Sequence, residues 1–195
     1  MQNWWLMDAI YYVPWDSRLT EPVLTIRSET YNERGMARRA RVGDVIEIAT
    51  PKGLAYAQFT HKHDQFGPLI RVLPGIHAAR PGNLADIVNG PSAFMIFYPV
   101  GAAAKRQLVN VVENVPVPEH SRGFPLFRCG TPDVITKKVK AWWFWDGNES
   151  WPVGALTPEQ KKMPIRILVN HDALVNMITS QWTPETDRMW WQVAE

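Results

Sequence analysis

The chain has 195 residues, 46% hydrophobic and 21% charged, with 21 basic and 19 acidic side chains giving a formal charge of +2. This length suits one large domain, and the hydrophobic content excludes a disordered chain. The balanced charge gives no argument for nucleic acid or an anionic membrane, and no apolar run approaches the ~20 residues of a membrane-spanning helix.

The single cysteine, Cys129, has no partner for an intrachain disulfide, which fits a reducing compartment. Met1-Gln2-Asn3-Trp4-Trp5 carries no basic residue ahead of its apolar ones, so no secretory leader is expected and the protein reads as cytoplasmic. Ten tryptophans and sixteen prolines are the unusual entries. Tryptophan fills cores and anchors interfaces. The prolines are scattered and so punctuate a fold, without forming a polyproline linker.

In chain order, Trp4, Trp5, Leu6, Ile10, Tyr11, Tyr12, Val13 and Trp15 make residues 1–36 an aromatic amino-terminal extension, a strand or two packed on the single domain 1–195. Residues 28–41 are charged and suit a short helix or a solvated connector. Val45-Ile46-Glu47-Ile48 is a β-branched strand, and Pro51-Lys52-Gly53 is a turn in which proline presets φ and glycine accepts a positive one. Leu54 to Phe59 returns as the partner strand. Leu69 to Leu73 follows Gly67-Pro68 as a third, completing a meander.

Asn83 caps one or two helical turns that carry Leu84, Ile87 and Val88 and stop at Gly90-Pro91. Ala93 to Tyr98 is a buried strand and Leu108 to Val112 another, with a turn over 101–106 between them. Val115-Pro116-Val117-Pro118 is an extended strap. Val139 to Trp145, Asp146-Gly147 and Ser150 to Val153 form a second hairpin. Thr157-Pro158-Glu159-Gln160 has the form of a capping box, and Pro164 limits its helix to about a turn. Asn170 or Asp172 opens a helix with Leu174, Val175, Ile178 and Trp182 on one stripe, and a final short helix carries Met189 and Trp190. The fold class is α+β, a strongly bent and partly barrel-like antiparallel sheet with a few short helices.

Candidate chemistry is sparse. In His61-Lys62-His63-Asp64, residues 61 and 63 project to one side of a strand as two metal ligands need, but Asp64 points elsewhere and no third ligand follows nearby. A polar turn without metal is the expectation, and no cofactor is implied. Cys129 with His120 or His171 as base would make an enzyme of unknown reaction. The simpler reading of a lone cysteine is a buried filler. No Gly-x-Ser-x-Gly elbow or phosphate-cradling glycine loop occurs. Arg34, Arg38, Arg39 and Arg41 beside Tyr31 suggest a nucleic-acid-binding module as another alternative, diluted by Glu29 and Glu33.

The aromatic hairpin carries more weight. Strand alternation sends Trp142 and Phe144 one way and Trp143 and Trp145 the other. One set enters the core. The other is covered by the amino-terminal segment or a helix, or stays exposed as a protein-binding patch.

Several of these motifs resemble one family. Val42-Gly43-Asp44-Val45, Tyr56-Ala57-Gln58, Phe66-Gly67-Pro68-Leu69-Ile70-Arg71-Val72, Pro125-Leu126-Phe127-Arg128 and Trp142-Trp143-Phe144-Trp145-Asp146-Gly147 are similar, in that order over residues 41–180, to the twenty-sixth immunity-protein family of bacterial polymorphic toxin systems. The motifs are glycine turns and aromatic strands, and the first forty residues lie outside the match. The resemblance implies a non-catalytic protein that binds and neutralises a cognate toxin, in the manner of a toxin–antitoxin pair. It brings no catalytic residues. Contact residues chosen for exposure and interface chemistry are Trp143, Trp145, Trp151, His61, His63 and Arg71.

Overall fold

Three antiparallel strands open the fold: β1 (Asp44–Thr50), β2 (Gly53–His63) and β3 (Gly67–Val72). The molecule is a computed structural model that describes residues 39–133, 135 and 139–187, all within the compact unit Met36–Glu195. The expected aromatic extension over 1–36 and the final helix carrying Met189 and Trp190 fall outside the described residues. Gly53 makes the first turn with φ of 130°, and a Cβ there would lie 2.6 Å from the His77 carbonyl oxygen. Only glycine fits that position.

The sheet is buried on both faces, so its strands lack a clean apolar–polar alternation. Ile46, Ile48, Ala57, Phe59, Ile70 and Val72 form one core with Leu174, Met177 and Ile178 of helix α3 (His171–Thr179). Val45, Tyr56 and Leu73 form another on the opposite face, beneath Leu84 and Val88 of helix α1 (Leu84–Val88), whose cap is Asn83. Strand β4 (Phe94–Phe97) pairs with β3, and β5 (Asn110–Asn114) pairs with β1, giving the order β4-β3-β2-β1-β5. Between them, where a turn is expected, residues Val100–Lys105 form helix α2. Three consecutive alanines favour helix, and Val100 and Ala103 bury its inner side.

A second sheet has the order β6-β7-β8, built from β6 (Phe127–Pro132), β7 (Val139–Trp145) and β8 (Ser150–Gly154). Sequence patterning gives β7 and β8 but not β6, whose Arg-Cys-Gly-Thr-Pro run lacks strand character. The fold is therefore α+β with two antiparallel sheets, and the described strands do not close into a barrel.

Residues 164–169 stitch the sheets together. They bridge in parallel to Arg128 through Ile165 and to Phe97 through Leu168, so one segment covers the outer edges of both β6 and β4. Leu69, Phe97, Phe127 and Trp145 form a third core between the sheets.

Candidate functional site

The β7–β8 hairpin turns on Asp146, whose Oδ1 accepts from the backbone N–H groups of Asn148 and Glu149, both at 2.8 Å. Those bonds hold its carboxyl below the usual carboxylate range. Gly147 follows with φ of 105°, and a Cβ there would come within 2.8 Å of the Phe124 ring. The turn is thus fixed on both sides, and the strands leaving it are fixed with it.

Trp143 pairs with Cys129 and Pro152, whereas the neighbouring Phe144 pairs with Arg128 and Trp151. Trp143 and Trp151 therefore leave opposite faces of the hairpin. They remain 43% and 39% exposed, the two large aromatics on the described surface. Trp143 stands on the central strand β7 and Trp151 on β8, whose outer edge has no ladder partner among the described residues. Pro152 offers no N–H there, and Val153 is unpaired where the register shifts between Trp142 and Trp143. Val112 is likewise bulged in β5, the other open edge. Both edges thus carry devices that discourage strand addition.

Trp145 corrects the expectation of exposure. It shares its face with Trp143, as alternation requires, but lies deeper and is buried against Phe127, Phe66, Phe97, Phe124 and His63. The Arg166 guanidinium covers it, 5.2 Å from the ring.

His61 and His63 belong to this cluster. Strand β2 is bulged at Thr60, because Phe59 pairs with Ile70 and His61 with Leu69. The extra residue moves both histidines off the α3 side and onto the face that meets the second sheet. His61 Nε2 donates to the Arg122 carbonyl at 2.8 Å and His63 Nε2 to the Gly147 carbonyl at 2.9 Å. His63 Nδ1 accepts from the N–H groups of Gln65 and Phe66. Both rings are half-buried clasps between the sheets, with their Nε2 atoms committed to protein carbonyls. Among the described residues, no group of three metal-ligating side chains occurs.

Arg71 also departs from expectation: it is fully buried. Nε donates to Gln58 Oε1 at 3.0 Å, Nη2 to the Val88 carbonyl, and Nη1 to the Gly90 carbonyl and Ser121 Oγ at 3.2 and 3.3 Å. Every acceptor is neutral, and burial lowers its pKa. Two of the carbonyls lie at the end of α1, where a cation is favoured. Arg71 is a structural hub between the α1 core and the inter-sheet core.

Sequence reasoning missed two further polar sites. Arg80 grips Glu47 with two bonds of 2.7 and 2.8 Å, and Tyr56 donates to Glu47 Oε2 at 2.9 Å. Tyr98, buried beside α3, donates to His171 Nδ1 at 3.0 Å. The partners are 33 and 73 residues apart, so no local motif announces them.

Cys129 is half-buried, its thiol directed at the Trp143 carbonyl at 3.6 Å, and burial pushes its pKa up, against Arg166. Neither His120, against Arg71, nor His171 contacts it among the described residues. Arg34, Arg38 and Tyr31 lie outside those residues, and Arg41 pairs with Asp44 at 3.7 Å. No helix among the described residues is long and apolar enough to cross a membrane. Comparison with protein-family models, curated proteins and solved structures finds no match for this chain.

Proposed function

We propose that this chain is a non-catalytic, cytoplasmic binding protein that neutralises a cognate toxin by stoichiometric association, as the resemblance to immunity proteins implies. One observation carries the reading: Trp143 and Trp151 remain 43% and 39% exposed on a hairpin held rigid by its turn and by the inter-sheet core. Rigid aromatics lose little entropy on association and are favoured interface anchors. Because the open edges are bulged, the partner meets side chains and not an added strand. Strong bending, with a partly barrel-like curvature, belongs to the same reading and would present the hairpin as a convex rim. No membrane or nucleic acid takes part.

The anchors on opposite faces suit a partner that straddles the hairpin. An interface of ordinary size, about 1,600 Å² in total, exceeds what two indoles supply, so neighbouring surface contributes. The test is rescue of cells expressing the toxin encoded beside this chain's gene, with co-purification of the pair. Trp143→Ala combined with Trp151→Ala should abolish both rescue and co-purification while the variant stays folded. Full protection by the double variant, or none by the parent chain, refutes the proposal.

A further inference from the structure

Arg166 belongs to the segment that covers the outer edge of β6. Its backbone N–H donates to the Arg128 carbonyl at 3.0 Å, and Ile165 bridges to Arg128 in parallel, so Arg166 stands beside Cys129. Residues side by side on paired strands project to one face of the pleat. Cys129 pairs in turn with Trp143. Arg166, Cys129 and Trp143 therefore form one row across the sheet, with the outer two about 10 Å apart at two strand spacings. The next row, Phe127 and Trp145, is buried beneath the first sheet. The row of Trp143 lies where that cover ends.

The half-buried Arg166 guanidinium leans onto two rings, 5.2 Å from Trp145 and 5.5 Å from Phe66. They fix its orientation and displace part of its water. Arg71, Arg80, Arg122 and Arg128 all donate to acceptors within the protein. Arg166 differs: its guanidinium makes no hydrogen bond or ion pair with any described residue. The Cys129 thiol supplies no counter-charge, because burial pushes its pKa up against the pull of Arg166. A stacked guanidinium with unused donors suits a carboxylate, whose two oxygens match the fork. Beside an exposed indole, it completes the arginine–tryptophan composition that dominates interface hot spots.

We propose that the toxin docks an aspartate or glutamate side chain on Arg166 and an apolar side chain on Trp143, spanning Cys129 between them. The inference rests on the toxin-binding reading above and adds the chemistry of the partner, an acidic group next to an apolar one. Guanidinium–carboxylate bonds are charge-assisted and gain strength where water is excluded. A neutral or basic surface of the same shape is rejected, because it buries the cation without a counter-charge.

Calorimetric titration of the full chain with the toxin encoded beside its gene, at low and at high salt, tests the pairing. Arg166→Met keeps an apolar stem on the Trp145 and Phe66 rings and should weaken binding about tenfold to a hundredfold. Arg166→Glu should weaken it further. Both should flatten the salt dependence, which a loss of packing alone would leave unchanged. Arg166→Lys keeps the charge without the fork and should recover part of the affinity, and it keeps the experiment informative if the other variants fail to fold. On the toxin, single Asp→Asn and Glu→Gln changes should reveal one carboxylate whose loss weakens binding as much as Arg166→Met and adds nothing to it. No binding by the parent chain overturns both this inference and the reading beneath it. Toxin binding by the parent that persists undiminished in folded Arg166 variants overturns this inference alone. A dimer of this chain that Arg166→Glu dissociates assigns the face to a second copy and likewise overturns it.

Discussion

His63 donates from Nε2 to the carbonyl oxygen of Gly147, 2.9 Å away, joining the end of β2 to the turn between β7 and β8. Its other nitrogen accepts two backbone N–H groups of its own turn. His63→Phe keeps an aromatic ring but strands all three partners. Urea unfolding should register a loss of about 1–3 kcal/mol. Unchanged stability would mean that the clasp is incidental to the packing of the sheets.

Arg71→Met removes the buried charge while keeping much of the side-chain volume. It leaves Gln58 Oε1 and the carbonyls of Val88 and Gly90 without their donor. Losing one partner of a buried network costs about 3–5 kcal/mol. Arg71→Lys should recover only part, since one ammonium cannot reach acceptors spread around a planar fork. Chemical denaturation of the two variants provides the measurement, and a methionine variant as stable as the parent contradicts the hub assignment.

Trp143 and Trp145 make a matched pair, two residues apart on one face. Trp145→Ala empties part of the inter-sheet core and should cost about 3–5 kcal/mol. Trp143→Ala, at a half-exposed site, should cost about 1 kcal/mol or less. Thermal unfolding that ranks them the other way would contradict this inside–outside order.

Tyr98 and His171 set opposite limits on pH stability. Burial lowers the His171 pKa from its ordinary 6.5, against the charge of Asp172, so the unfolded chain takes up the proton more readily. Its stabilisation is present above pH 6.5 and is lost as the pH falls below that value. Burial, with Asp172 adding to it, pushes Tyr98 from 10.0 to about 12, so its stabilisation is present below pH 10 and is lost as the pH rises toward 12. Denaturation midpoints should fall on both sides. His171→Gln should flatten the acid limb, and Tyr98→Phe should reduce the alkaline one. Unaltered slopes in both variants would refute this assignment.

Glu47 adds a second acid limb. Burial raises its pKa, but hydrogen bonds from Arg80, Tyr56 and Asn110 and the charge of Arg80 outweigh that, leaving it below 4.5. Its stabilisation is present above pH 4.5 and is lost as the pH falls through and below that value. Glu47→Gln should be less stable than the parent near neutrality and converge with it under acid. A constant gap across pH would assign the loss to packing.

The sequence makes the local structure legible. Asn83 caps α1, Asn170 caps α3, and Thr157 and Gln160 exchange the two bonds of a capping box. Alternation also places Trp143 and Trp145 on one face, but it cannot say how far along that face the second sheet reaches. The bulge at Thr60, which re-aims His61 and His63, leaves no mark in composition. Arg71 looks like a surface cation because its acceptors come from β2, the end of α1 and residue 121. Such convergence exists only once the chain has folded.

The segment 164–169 has a consequence for synthesis. It is made some thirty residues after β6 and nearly seventy after β4, yet it covers an edge of each. While the ribosome is still elongating, both strands therefore present bare hydrogen-bonding rims to their surroundings. The nascent chain passes through a sticky interval that ends only when its last third emerges and closes the seam.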